Sequence, residues 1–166
     1  GLLRDNAEVL TGFVAAARHA KTAGASLEAR RRARQAEELA QAIERTFWQG
    51  TRWRNSTQIA PLGGFYPDAA AQLYPRLAGM TPPAGAASFT DWLTEHGPAW
   101  RAQAEHDYPW GLVAVAAWQA GDANTAACWL ARAGVHRDGG RWNVLEESVY
   151  QGLTARLAGL ACRAGE

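Results

Sequence analysis

The apolar residues of this chain recur with the period of a helix almost from end to end. Between Asn6 and Ala23 they fall at Val9, Leu10, Phe13, Val14 and Ala17, the i, i+1, i+4, i+5, i+8 spacing that lines one face of a 3.6-residue turn. Gly24 stops that run, Ser26 is placed to cap the next, and Ala36, Leu39, Ala40, Ile43 and Phe47 carry the period to about residue 47. The other face of this second helix holds Arg30 to Arg32, Arg34, Glu37, Glu38 and Glu44. Opposite charges four apart, such as Arg34 and Glu38, mark it as a solvated surface and not a nucleic-acid patch. Further helices are predicted over Pro67–Gly79, from about Ser88 through Phe89, Trp92 and Leu93, over Pro109–Gly121, over Ala123–Gly134 behind a capping Asp122, and over Leu145–Gly159 with Val149, Leu153, Leu157 and Leu160 on one face. No alternating run is long enough for a central sheet; Thr51–Thr57 and Gly140–Val144 suit at most a short strand. The pattern predicts an all-α chain of about seven antiparallel helices arranged as helical hairpins.

The connections are unequal, and that asymmetry points to function. Very short Gly turns close one end of the helices, so the long loops and the starts of the first, third, fifth and seventh helices gather at the other. Four clusters of similar chemistry lie there: Arg4-Asp5-Asn6-Ala7-Glu8, Phe65-Tyr66-Pro67-Asp68, His106-Asp107-Tyr108-Pro109-Trp110, and Arg141-Trp142-Asn143 with Glu146-Glu147. Each sets an acid beside an aromatic or an amide. An acid or a proline in a first turn also has a purely structural reason to be there.

Length and charge narrow the classes. The chain has 166 residues, 48% hydrophobic and 20% charged, with a net charge of +1, which fits a single domain of residues 1–166 with a sizeable core and excludes a disordered or polyanion-binding segment. No apolar run approaches the roughly 18 residues of a membrane span. Tryptophan is abundant, at 8 residues, and the one methionine is Met80, so a further portion of the protein is expected before Gly1. His19, His96, His106 and His136 share no metal-type spacing with each other or with cysteine, and no metal or cofactor is expected. Cys128 and Cys162 each sit in an Ala/Leu-rich helical pattern and read as buried thiols; the alternative is a disulfide, which would place the chain in an oxidising compartment.

Acids interleaved with aromatics suit carbohydrate. A sugar ring packs its C–H face on Trp or Tyr and pairs its hydroxyls with carboxylates, amides and arginine, and glycoside hydrolysis needs two carboxylates. Asp5 and Glu8 share a helix face, although Asp5 as an N-cap with Glu8 as its capping-box partner explains them equally well. Asp68, Asp107, Glu146 and Glu147 are further acids, and Tyr66, Tyr108 and Arg141 further binding groups. Trp92, Trp118 and Trp129 fall at core positions within helices, whereas Trp48, Trp53, Trp110 and Trp142 lie at helix ends or in long connections and are stacking candidates; Trp100 fits either class.

These residues carry a resemblance. Asp5-Asn6-Ala7-Glu8-Val9 before two Ala-rich helices, Phe65-Tyr66-Pro67-Asp68-Ala69 with Ala71-Gln72-Leu73-Tyr74-Pro75, and Tyr108-Pro109-Trp110 before an Ala/Val helix closed by Ala-Gly-Asp resemble the six-hairpin, or (α/α)6-toroid, glycosidase superfamily. The resemblance implies a ring of inner helices whose starts surround a cleft for a polysaccharide or oligosaccharide, hydrolysed by general acid/base chemistry and outside the cytoplasm, in a secreted or periplasmic setting. Acid roles pass to Asp5, Glu8, Asp68 and Glu146, and rim roles to Trp53, Tyr66, Trp110 and Trp142. A full toroid has twelve helices. This chain therefore corresponds to the C-terminal half, and association with the missing N-terminal half or with another chain is implied. The alternative is a non-catalytic helical-hairpin module that binds a glycan or a protein partner, as solenoids do, although the uneven helix spacing departs from a regular repeat. A terpenoid-handling toroid is disfavoured by the lack of a DDxxD-like acidic cluster.

Overall fold

The computed structural model describes residues 1–58, 60–61 and 63–163, and it is all-helical. The first apolar run forms α1 (Leu3–Thr22). It begins ahead of Asn6 because the start is fixed by a distant segment and not by a side-chain cap: Leu3 N donates to Asn55 O at 2.9 Å and Thr57 N to Gly1 O at 3.0 Å, while Leu3 is fully buried. Asp5 is thus a first-turn residue, and the capping-box reading of Asp5 and Glu8 does not hold. Gly24, at φ 75°, makes the tight turn into α2 (Ser26–Phe47); Ser26 is the first helical residue and no side chain caps it. The two helices pack along each other. Ala36, Ile43 and Phe47 are buried, and the basic face stays in solvent with Arg34 paired to Glu38 at 3.3 Å.

Beyond α2 the alternating segment 51–57 makes isolated antiparallel bridges, Trp48 to Trp53 and Leu2 to Ser56, and no strand. Gln72 acts as its edge partner: its Oε1 accepts Trp53 N and its Nε2 donates to Trp53 O, both at 2.8 Å. The helix expected over Pro67–Gly79 is instead a π-helical turn, Phe65–Ala69, and a one-turn α3 (Tyr74–Leu77). The interruption falls at Gln72–Leu73, just ahead of Pro75, which has no N–H to continue the helix; Tyr66, preceding Pro67, is held extended (φ −111°, ψ 134°).

The chain divides into two compact units, Gly1–Ala86 and Ala87–Glu166, at the end of the Pro-rich link TPPAGA. The second unit opens with α4 (Phe89–His106), started by a full capping box in which Asp91 N donates to Ser88 Oγ and Ser88 N to Asp91 Oδ2, both at 3.1 Å. α5 (Gly111–Gln119) and α6 (Ala123–Ala133) form the second tight hairpin, with Asp122 accepting Thr125 N at 2.9 Å as expected. The strand considered over residues 140–144 is absent: Asn143 accepts the N–H groups of Leu145 and Glu146 at 2.9 and 3.0 Å and so starts α7 (Val144–Arg156). α7 packs on both α5 and α6.

Two residue-level expectations are corrected in this unit. Cys128 and Cys162 are joined by a disulfide, which fastens the segment after α7 back onto α6, where Arg163 N also donates to Asn124 Oδ1 at 2.9 Å. Trp118 is 38% exposed. The closely packed positions of α5 are taken by Gly111, Val113, Ala114, Ala116 and Ala117, and the indole lies outside them beneath the guanidinium of Arg156, 5.2 Å from its ring centre. Trp92, Trp100 and Trp129 are buried.

Candidate functional site

The four clusters read from the sequence meet in pairs, one pair in each unit. In the first unit the start of α1 and the Phe65–Ala69 turn come together around Arg4. Its Nε donates to Glu8 Oε1 at 2.8 Å, and it also hydrogen-bonds Tyr66; the Glu8 bond raises its already high pKa further. Tyr74 is buried beside this pair, and the loss of water pushes its phenol up to about 12. Tyr66 is 52% exposed. Asp68 accepts hydrogen bonds from Asn55 Nδ2 and, at 2.6 Å, from Gly63 N, so it orders the loop in front of it. Asp5 is exposed. Trp53 is not available to stack on a ligand: it is 6% exposed and packs on Trp48 with ring centres 5.0 Å apart.

The second unit joins the Asp107–Trp110 turn to the start of α7. Trp110 has a left-handed backbone (φ 52°, ψ 57°), a conformation that penalises every side chain with a Cβ. It is held there from three helices. Trp100 Nε1 of α4 donates to Pro109 O at 3.3 Å and Trp110 O at 3.2 Å; Trp129 Nε1 of α6 donates to Pro109 O at 2.9 Å. Glu146 of α7 accepts Gly111 N at 2.9 Å and also the Trp110 N–H. The carboxylate thus occupies the first turn of α5, where free N–H groups and the helix dipole favour it. Gly111 has no alternative here: a Cβ at this position would lie 2.7 Å from the Trp129 ring and 2.8 Å from Val149 Cγ1.

Glu146 is 3% exposed. Burial raises its pKa above the ordinary carboxylate range, against the opposing pull of the Gly111 and Trp110 N–H donors. Its neighbour Glu147 is shifted the other way, down to about 2, because Arg137, Gln151 and Trp142 all donate to it. Arg137 grips it with two bonds, 3.1 and 2.6 Å, and Trp142 Nε1 reaches it at 2.8 Å. Trp142 is half-buried between Trp129 and Tyr150, with ring centres 6.4 and 5.8 Å away, and Arg137 lies 4.7 Å from the Tyr150 ring centre. Trp110 Nε1 donates to Asp107 Oδ2 at 3.0 Å, Tyr108 is exposed, and Arg141 donates to Ala104 O at 3.3 Å.

Of the ten predicted site residues, Asp5, Glu8, Trp53, Tyr66 and Asp68 therefore belong to the first unit and Tyr108, Trp110, Arg141, Trp142 and Glu146 to the second. Arg137, Tyr150 and Gln72 carry as much of this geometry and were not among them. Nothing near Arg137 in the sequence marks it as the partner of a glutamate ten positions on. Among the described residues no group of three or more His, Cys, Asp or Glu is placed to hold a metal ion, and no helix is long and apolar enough to cross a membrane. No protein-family model, curated protein or solved structure matches this chain.

Proposed function

We propose that this chain is a carbohydrate-active protein of the six-hairpin glycosidase kind, which acts on a polysaccharide or oligosaccharide by general acid/base hydrolysis. The observation that carries this reading is the pairing of helix starts within each unit, where an accessible tyrosine stands beside an acid: Tyr66 with the Arg4–Glu8 pair, and Tyr108 with the Asp107–Trp110 pair. Such sites offer a pyranose both an aromatic face and hydroxyl partners. Asp5 and Glu8 are exposed acids and Asp68 is half-buried, whereas Glu146 is sealed from solvent. The disulfide supports a secreted or periplasmic setting, and association with a further portion of the protein or another chain remains part of the proposal.

One observation favours the second reading, a non-catalytic glycan-binding module. Glu8, Asp68 and Glu146 each already serve a partner inside the chain, and hydrolysis requires two carboxylates working together. The experiment is reducing-sugar release and binding, measured on a polysaccharide panel with the wild-type chain and with Asp5→Asn, Glu8→Gln and Asp68→Asn. Turnover that is lost in at least one variant with binding kept supports hydrolysis. Binding without turnover in the wild type supports the module, and no binding to any glycan overturns both.

A further inference from the structure

The net charge of +1 conceals a separation of charge along the first hairpin. Between Val9 and Gln35 the chain carries Arg18, Lys21, Arg30, Arg31, Arg32 and Arg34 against a single acid, Glu28. The remainder of the same two helices holds Asp5, Glu8, Glu37, Glu38 and Glu44 against Arg4 and Arg45. The basic set gathers around the Gly24 turn: Arg18 and Lys21 close α1, and Arg34, the farthest, lies about 12 Å into α2 at the rise of a helix. Along the helix axes Lys21 stands about 20 Å from Glu8 and Arg30 about 21 Å from Glu44, more than twice the Debye length of about 8 Å at physiological salt, so those acids do not cancel the field of the tip. Local pairing takes up only part of it. Glu28 binds Arg32 at 2.6 Å and lies 4.0 Å from Arg31, and Arg34 pairs with Glu38 at 3.3 Å. Arg18, Lys21 and Arg30 are exposed and have no acid within ion-pair distance among the described residues.

An apolar side chain stands among these charges. Leu27 is 77% exposed, and with Arg30, Arg31 and Arg34 it follows the i, i+3, i+4, i+7 spacing of one helix face. Ala23, Gly24 and Ala25 beside it are exposed as well. An isolated surface leucine means little. One set among arginines at the end of a hairpin matches the two things a lipid surface offers, anionic headgroups and an apolar layer just beneath them. Nucleic acid fits less well: no aromatic residue lies between Ala15 and Thr46 to stack on a base, and phosphate contacts give a leucine nothing to do.

We propose that the Gly24 tip of the α1–α2 hairpin is a docking surface for a membrane that contains anionic lipid, with Arg18, Lys21, Arg30 and Arg31 on the headgroup phosphates and Leu27 entering the acyl boundary. Each basic residue held near an anionic surface multiplies the partitioning by about five, and the buried leucine adds a contribution that salt does not screen. The attachment is peripheral and reversible, without a span. It goes beyond the carbohydrate reading and does not rest on it, so a glycan panel that shows no binding leaves it standing.

The test is co-sedimentation of the full chain with vesicles of phosphatidylcholine alone and of phosphatidylcholine and phosphatidylglycerol in equal parts. The wild type is expected to bind the mixed vesicles and not the neutral ones, and to bind about tenfold or more weakly when salt rises from about 0.1 M to about 1 M and the Debye length falls from about 10 to about 3 Å. The triple variant Arg18→Gln, Lys21→Gln, Arg30→Gln is expected to bind about a hundredfold more weakly. Arg45→Gln, the same change at the far end of α2, is expected to match the wild type within about twofold. Leu27→Ser is expected to bind about fivefold or more weakly while the salt dependence stays. All five positions are exposed; should the triple variant lose its helicity by circular dichroism, its three single variants, each expected about fivefold weaker, decide in its place. Absent or equal binding to the two kinds of vesicle overturns the proposal, as does wild-type affinity in the triple variant. Tighter binding to duplex DNA or to heparin than to the mixed vesicles, with Leu27→Ser as strong as the wild type, assigns the tip to a polyanion in solution and overturns the lipid surface.

Discussion

Both units must order a long connection between helices, and each does it with one polar side chain that reaches across to two backbone groups. In the first unit that side chain is Gln72, a neutral amide that accepts from Trp53 N and donates to Trp53 O. In the second it is Glu146, which can only accept, and it faces two N–H groups at the start of α5. The difference is chemical. An amide completes a peptide edge that needs one donor and one acceptor; a carboxylate suits a helix start, which offers donors alone. The amide is blind to pH, whereas the buried carboxylate ties its loop to proton concentration. The second unit also has a covalent clasp among its described residues and the first does not.

This contrast can be broken in order of expected size. Replacing Cys128 and Cys162 by serine opens a loop closed by residues 34 apart, and chain entropy puts the loss at about 3–4 kcal/mol. Hydrogen exchange should show that loss in α6 and α7 and leave α1 and α2 as they were; equal loss in both units would erase the distinction. Glu146→Leu strands two N–H groups in a buried site, about 2–3 kcal/mol, whereas Gln72→Ala exposes its partners at a half-buried edge and should cost about 1–2 kcal/mol. Urea unfolding of the two variants checks the order, and a costlier Gln72→Ala would reverse the account of which loop depends more on its anchor.

The smallest effect is in pH. Glu146 has its folded pKa raised, so the folded state holds its proton more tightly than the unfolded one, and its contribution is lost as pH rises from the ordinary carboxylate range through the folded value. Glu147 is lowered from 4.5 to about 2, so its contribution is present above the unfolded value and lost as pH falls toward 2. Denaturant midpoints of the wild type should therefore rise out of acid and decline again above the carboxylate range. Glu146→Gln, with one acceptor oxygen for the two N–H groups, should lower the midpoint and remove the decline, and a decline unchanged in that variant would show that another group causes it.

Local periodicity and capping made much of this legible in advance. Asp122 caps its helix as read, the helix after the Pro-rich link begins at Ser88 as expected, and the Gly24 and Gly121 turns fall where they should. The failures occur where a partner distant in sequence decides. α1 starts at Leu3 because of Asn55 and Thr57, and Trp53 is buried by the Gln72 edge and Trp48. The clustering of acids and aromatics at helix starts was readable, and the structure joins those starts in two pairs. The engagement of Glu146 by the backbone of residues 110 and 111 was not, because a glutamate in a first turn looks the same whether it faces solvent or a neighbouring helix.

The clasp between Cys128 and Cys162 also changes what a backbone cut would mean. The covalent ring it closes encloses the whole of α7 and the connection that carries Arg137, Arg141 and Trp142. A protease that nicked this connection once would leave both ends attached, α7 would stay tethered beside α5 and α6, and the scission would come to light only when a thiol was added.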